Sequence, residues 1–340
     1  MKPAAARRPT VQDVARAAGV SASTVSRALN GSGYAAADVR QRVLETATRI
    51  GYVPDGNARN LRQGRSPVVG VLISDLRNPF YANLAVGIEK GLRAGGMHMV
   101  LTNDNADAEE ELEAARTLVS MRVPGAIVTP VSAKAISLLR HHDIAVVQVD
   151  RRVGRGGDAV LSANESAARE LTEHLIGFGH RRIAMLIDQT RWVTGSDRLQ
   201  GFRGAHASHD MPVDESLVCF TSFDAVAAGR TTALLLDQHP EVTAIFAANN
   251  VLAQGAFEEI RRRGLRMPYD ISLAGYDDVP WMSMVDPGLS TVSQHTAEMG
   301  QRAADLLLVR LGAAKAGRPQ LIQVDSSVII RGSTGTAPRH

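Results

Sequence analysis

The sequence predicts an α/β protein: a small three-helix headpiece followed by a two-lobed body built on two doubly wound parallel sheets. Apolar residues recur at helical spacing three times between residues 10 and 50. Beyond Pro67, β-branched runs alternate with amphipathic stretches in two successive series. Charge is divided as well. Residues 1–65 carry eleven Lys/Arg and four Asp/Glu, a balance of +7, whereas the other 275 carry 27 and 31, a balance of −4. A basic module joined to a near-neutral body is the footprint of a polyanion binder.

A chain of 340 residues has room for two or three folding units. Its 44% apolar and 21% charged content is that of a soluble globular protein, and no apolar run approaches the ~18 residues a membrane span needs. The start, MKPAAARRPT, has basic residues but no apolar segment behind them, so the expectation is a cytoplasmic protein without a secretory signal. Cys219 is the only cysteine, which excludes an internal disulfide and a multi-cysteine zinc site and assigns it to packing.

The headpiece helices read as 11–18, 21–29 and 37–50, ahead of a polar, basic linker over 55–64 in which Leu61 is the only large apolar residue. In the body, strands read as 68–73, 97–101, 125–129 and 145–149, then 182–187, 217–220, 244–247 and 272–276. Two such series imply two sheets that bind ligand at the carboxyl ends of their strands, with the cleft between them. A closing stretch adds a helix over 298–311 and strands over 321–324 and 327–330, read as crossing back between lobes.

VQDVARAAGVSASTVSR, residues 11–27, has the parts of a helix-turn-helix in order. Val14 and Ala15 form the inner face of the first helix. Gly19 supplies a left-handed turn, Val20 fills the angle, and Ser21 caps the second helix. With Val25 and Leu29 turned inward, that helix presents Ala22, Ser23, Ser26 and Arg27, a face fit for a major groove. The enzyme signatures sought are absent from the sequence: no P-loop, GxGxxG after a strand, GxSxG or HExxH. His141 and His142 are adjacent, hence on different helix faces, and make no metal site. Neither catalysis nor a cofactor is expected.

From Thr10 to Gly332 the chain resembles the lactose-repressor (LacI) family. The motifs are VQDVARAAGVSASTVSRALN, GYVPDGNARNLRQGRS, NPFY, DRR, GHRRIA, RLQGF, AANNVLAQGA, DISLAGYDD and TVSQ. The resemblance implies a transcriptional regulator, most simply a repressor, that binds double-stranded operator DNA and is controlled by a small sugar-like effector. It implies a periplasmic-binding-protein-like body and a homodimer, with a tetramer open; the chain shows no added heptad tail after Arg331. A periplasmic-type sugar receptor and a regulator with a nucleoside or purine effector are the alternatives, and residues 10–65 speak against the first.

The boundaries implied are a basic tail at 1–9, the headpiece at 10–54, a hinge helix or linker at 55–66, an effector domain at 67–333 and a tail at 334–340. Lobe 1 takes about 67–160 plus 293–325, and lobe 2 about 161–292 plus 326–333. In the family, positions matching Ala22, Ser23 and Arg27 touch base edges, residues 55–63 fold on DNA as a hinge helix, and Leu61 wedges into the minor groove beside Arg62. The DNA-contacting set extends to Thr10, Ser21, Thr24, Ser26, Asn30, Asn57 and Arg59. Gly56 stands where alanine is usual and weakens a hinge helix by up to ~1 kcal/mol. Ala36 replaces a common capping serine and Val39 a usual threonine, so the start of the third helix is weakly marked.

Effector positions carried over are Asn78, Phe80 and Tyr81 from lobe 1, Arg198, Phe223, Asn249 and Asp277 from lobe 2, and Gln294 at a crossover. Asp150, at a strand end, reaches either ligand or Arg151. Phe80 and Phe223 can equally be core aromatics, Asn249 a helix cap, and Trp192 either a cleft-closing residue or part of a surface loop. Aromatic faces with mixed donors and acceptors suit a polyol. The sequence shows no basic cluster beyond Arg198, which argues against a phosphorylated effector.

Overall fold

The computed structural model describes residues 9–30, 36–52, 66–154, 156–188, 192–313 and 317–338. It divides into two compact units, Met1–Ser66 and Pro67–His340. In the first, helices α1 (Val11–Ala18), α2 (Ala22–Asn30) and α3 (Ala37–Arg49) enclose a small core of Val14, Ala15, Ala18, Val25, Ala28, Val43 and Ala47. A capping box starts α1: the Thr10 hydroxyl accepts from the Asp13 N–H at 3.3 Å while the Asp13 carboxylate accepts from the Thr10 N–H at 2.9 Å. Gly19 ends it at φ 67°, a left-handed conformation that glycine adopts without a Cβ penalty. Ala36, at the N-cap of α3, offers no side-chain cap, as the missing serine predicts.

The second unit holds two parallel sheets. The first is ordered β11-β5-β4-β3-β1-β2 from β1 (Val68–Ile73), β2 (His98–Asn103), β3 (Gly125–Val128), β4 (Ala145–Val149), β5 (Asp158–Ser162) and β11 (Leu321–Val324). Its helices are α4 (Pro79–Ala94), α5 (Ala108–Ser120), α6 (Ala133–His141) and, from far along the chain, α12 (Thr296–Gly312). The other sheet is ordered β7-β6-β8-β9 from β6 (Ile183–Ile187), β7 (Val218–Phe220), β8 (Ala244–Ala247) and β9 (Ser272–Ala274). It is covered by α7 (Asn164–Gly177), α8 (Val193–Ser208), α9 (Ala225–Gln238), α10 (Asn250–Arg262) and the short α11 (Trp281–Met284). β10 (Thr291–Ser293) and β12 (Ser327–Ile329) form a separate antiparallel pair.

In each sheet the second strand lies on one side of the first strand and the third on the other, so both have a switch point at their carboxyl edges. The chain passes between lobes after β5, after β10 and after β11. The crossings are joined: the Ser162 and Ser326 hydroxyls lie 2.7 Å apart, and His295 Nε2 lies 2.8 Å from the Ser327 hydroxyl.

Two short strands, β5 and β10, escaped the sequence reading. Asp158–Ser162 follows a glycine-rich stretch and is too short to show a period, and Thr291–Ser293 has only three residues. The expectation of a tail at 334–340 is corrected over its described part. Thr334 is buried and lies 2.8 Å from the Ser290 hydroxyl and 2.9 Å from His174 Nε2. The Gly335 carbonyl meets the fully buried His180 at 3.0 Å, and the Ala337 N–H donates to the Phe178 carbonyl at 2.9 Å. Residues 334–337 are therefore stitched to lobe 2, because polar backbone lying on a core needs partners there. Cys219 is partly buried against the lobe 2 core, where burial pushes its thiol pKa up.

Candidate functional site

In the headpiece, Ser21 caps α2 by accepting from the Thr24 N–H at 3.1 Å, and its hydroxyl lies 2.8 Å from those of Ser23 and Thr24. Val25 and Ala28 are buried, which leaves Ala22, Ser23 and Arg27 exposed and Ser26 half-buried on the other side of the helix. Arg27 is tethered only lightly, its Nε donating to the Ser23 carbonyl at 3.3 Å. A long guanidinium on an exposed helix of small polar residues can reach base edges that backbone-bound groups cannot. Thr10 sits at the start of α1 with its hydroxyl engaged in the capping box. The expected hinge helix with Gly56, Asn57, Arg59, Leu61 and Arg62, and the side chain of Asn30, lie outside the described residues.

In the body, one cavity of about 220 Å³, many times the space a single water needs, opens at the carboxyl edges of both sheets. All nine residues expected at the effector site line it: Asn78, Phe80, Tyr81, Asp150, Arg198, Phe223, Asn249, Asp277 and Gln294. β4 and β9 deliver the carboxylates in matching ways. Asp150 and Asp277 each follow the strand in a left-handed conformation, φ 65° and 66°, that non-glycine residues adopt rarely. Each is thereby turned out of the strand path into the cleft.

Several of these side chains have two tasks. Asn249 accepts from the Val251 and Leu252 N–H groups at 3.1 and 2.9 Å, capping α10, and keeps its amide NH2 for the cleft side, 3.5 Å from Asp188. Asn78 caps α4 through the Phe80 N–H at 3.0 Å and also accepts from the Asn250 side chain at 3.1 Å, a direct hydrogen bond from lobe to lobe. Phe80 is both a core residue and a wall of the cavity, whereas Phe223 is 40% exposed at its rim.

Asp277 accepts from the Asn250 side chain at 3.0 Å and from the Gln294 amide, so the crossover after β10 is anchored in the site. The other Gln294 side-chain atom, Oε1, is buried without a hydrogen-bond partner. Arg198 is buried with Nε on Asn164 Oδ1 at 2.8 Å, Nη1 on the Ala248 carbonyl at 2.6 Å and its Cζ 3.8 Å from the centroid of the Tyr276 ring. Burial pushes the Asp150 carboxyl up to about 6, against the pull of the adjacent Arg151.

The sequence reading missed Ser74, Arg151, Asp188 and Thr194 as lining residues, and of Trp192 it left the role open. Ser74 and Asp188 directly follow β1 and β6, so the strand-end rule could have found them. The expectation of a single cation is also corrected. Arg77 and Arg151 line the cavity with Arg198, because the first helix start and the turn after β4 fold over the same opening.

Comparisons with known proteins agree along the chain. The family described as bacterial regulatory proteins, lacI family, matches residues 10–55, and the periplasmic binding protein-like domain matches residues 172–334. The ribose operon repressor of Halalkalibacterium halodurans is 32% identical over 302 residues, which cover 89% of this chain and 90% of that protein. The transcriptional regulator CelR of Thermobifida fusca is 32% identical over 340 residues, covering 96% and 98%. The solved lac repressor dimer, bound to operator and the anti-inducer ONPF, superposes with a TM-score of 0.86 at 26% identity, over 97% of this chain and 100% of that one. Identity at this level over nearly the full length of both partners covers headpiece and body alike, and the protein therefore belongs to the lacI family of bacterial regulatory proteins and regulates transcription by binding DNA.

Proposed function

We propose that the protein is a cytoplasmic repressor, dimeric on its operator, which an uncharged sugar-like polyol releases from DNA. The observation that carries this reading is the composition of the cavity. Buried carboxylates and amides converge from both lobes with the guanidiniums of Arg77, Arg151 and Arg198, and aromatic walls stand at Phe80 and Phe223. Carboxylates accept from neighbouring hydroxyls, amides both donate and accept, and ring faces cover the C–H side of a sugar. The names of the ribose operon repressor and the operator-bound lac repressor dimer support the same reading.

The headpiece residues Ser21, Ala22, Ser23, Thr24, Ser26, Arg27 and Thr10 are the proposed DNA contacts, joined by Asn30, Asn57, Arg59, Leu61 and Arg62. The nine cavity residues are the proposed effector contacts. A ligand that favours one arrangement of the lobes changes the population competent for DNA, which is all that linkage requires. No catalytic step is assigned to the chain. Thermal-shift screening with pentoses, hexoses, polyols and nucleosides identifies the ligand, since a compound at 100 times its Kd stabilises by about 2.7 kcal/mol. Gel-shift titration then reads the sign: the cognate sugar loosens operator binding, and tighter binding reverses the assignment to corepression.

A further inference from the structure

Behind the cavity wall lies a carboxyl group that the effector reading does not use. Asp104, the first residue after β2, is fully buried. Its N–H donates to the Ile73 carbonyl at 3.0 Å, which ties it to the end of β1, and the two residues that follow it, Asn105 and Ala106, line the cavity. Both are left-handed, φ 52° and 57°, a conformation that non-glycine residues adopt rarely and that the surroundings must hold in place. Asp104 supplies that hold from inside the protein. Its Oδ1 accepts from the Ala106 N–H at 3.0 Å, and its carbonyl accepts from the Asp107 N–H at 2.8 Å. On the outer side the Asn105 side chain is joined to Asn103 at 2.6 Å and to Glu110 at 2.7 Å, and Asp107 caps α5.

The remaining oxygen, Oδ2, is buried without a hydrogen-bond partner. The charged groups around it come from three elements. From α5 come Glu110 and Glu111, the latter fully buried and accepting from the Val131 N–H, the Ser132 N–H and the Ser132 hydroxyl, each at 2.8 Å. From the turn after β4 comes Arg151, whose Nε lies 3.5 Å from Asp150, so its charge is shared. From the loop after β1 come Asp75 and Arg77, which pair with each other at 2.9 Å. The segment after β3, residues 129–132, carries no charge. An ionised Asp104 would thus have one oxygen cut off from water and further carboxyl groups close by, whereas the neutral acid keeps Oδ1 as an acceptor without that cost. Burial accordingly raises its pKa to about 7, and Glu111 adds to the rise.

We infer that Asp104 is a positioning residue of the effector cleft that works as the neutral acid: its proton keeps the turn 104–107 folded against the sheet, and with it Asn105 and Ala106 in the cavity wall, while loss of the proton loosens that turn. This rests on the proposed effector reading of the cavity and adds to it a residue that touches no ligand. The sign follows from linkage. With the turn swung out, Asp104 meets water and titrates as an ordinary carboxyl, at about 4; with the turn closed it titrates at about 7. Opening therefore gains up to about ten-fold per pH unit between those values and levels off above the higher one. A wall held in this way is best formed in mild acid.

Amide hydrogen exchange tests it on the full chain, without ligand, from about pH 5 to about pH 8, with rates corrected for the intrinsic pH dependence of exchange. Protection of the segment 103–108 should fall at least about ten-fold between pH 5 and pH 7 and change little above that. Asp104→Asn retains an acceptor for the Ala106 N–H and cannot ionise, so its profile should be flat. Asp104→Ala has no acceptor and should be weakly protected at every pH. Strand β6, in the other sheet, is the internal reference and should keep its protection throughout. The inference is overturned if the wild-type segment shows no pH dependence, if Asp104→Asn follows the wild-type profile, or if β6 loses protection in step with the segment, which would mark global unfolding. The wild-type profile against β6 decides even where a variant fails to fold. Because no effector enters this measurement, a failure of the sugar reading shows only in the thermal-shift screen and leaves the exchange result standing.

Discussion

At the scale of single residues, the two modules make separable demands. Arg27→Ala should remove sequence preference at one base pair in each half-site, a loss of about 1–3 kcal/mol, while effector binding persists; gel shifts on operator and scrambled DNA check it. Arg198→Ala should retain operator binding and lose the response, because it also strips Asn164 and the Ala248 carbonyl of their donor. Asp104 illustrates a residue whose setting gave no sequence signal. It is fully buried after β2, its Oδ1 accepts from the Ala106 N–H at 3.0 Å, and its Oδ2 has no hydrogen-bond partner. Burial, aided by nearby Glu111, raises its pKa to about 7. The folded state therefore holds a proton that the unfolded chain has released, so this residue's contribution makes stability fall as pH rises from about 4 to about 7. Urea unfolding across that window should show a flatter pH dependence in Asp104→Asn than in wild type. The lining residues Asn249 and Phe80 were legible only in part for a related reason. A cap and a ligand contact call for the same asparagine, and a core wall and a sugar face for the same ring; the structure shows Asn249 capping α10 and Phe80 packed in the core while both also line the cavity.

Among elements, the helices show most clearly where sequence reading stops. Amphipathic spacing located the three headpiece helices and α12, and strand-like runs located most of the sheets, because burial on one or both faces writes a period into the sequence. Which helices touch closely is not written in either helix alone. Gly255 is one of several glycines inside helical stretches, but a Cβ there would lie 2.2 Å from the Ala225 carbonyl oxygen, so α9 and α10 approach backbone to backbone. Gly201 brings α8 onto α7 in the same way, 2.2 Å from the Glu165 carbonyl oxygen. Gly177, at the end of α7, faces open space. Gly255→Ala should force the helix pair apart and destabilise by about 1–3 kcal/mol, whereas Gly177→Ala should stabilise by about 0.4–1 kcal/mol through the unfolded chain. Chemical denaturation of both variants distinguishes these signs. Gly19→Ala is a third case: space is free, but φ 67° penalises any Cβ.

For the whole molecule, the cleft is where local chemistry becomes regulation. The lobes are joined by three chain crossings and by side-chain contacts across the cavity, among them Asn250 to Asn78 at 3.1 Å and Arg151 on Trp192. Such contacts favour one lobe arrangement by a modest amount, the scale on which a small ligand acts. Because Asn78 Oδ1 also caps α4, and Asn250 also serves Asp277, breaking the bridge disturbs both ends of the site. If effector and operator compete through two states of this body, their coupling is reciprocal by thermodynamic necessity. The factor by which saturating effector weakens operator binding must equal the factor by which saturating operator weakens effector binding. Calorimetric titration of the effector into free protein and into the operator complex, set beside gel shifts with and without effector, measures both factors. Equal factors above one are expected, and Asn250→Ala should change both together; a change in only one would mean that the ligand displaces DNA by a route other than the shared conformational equilibrium.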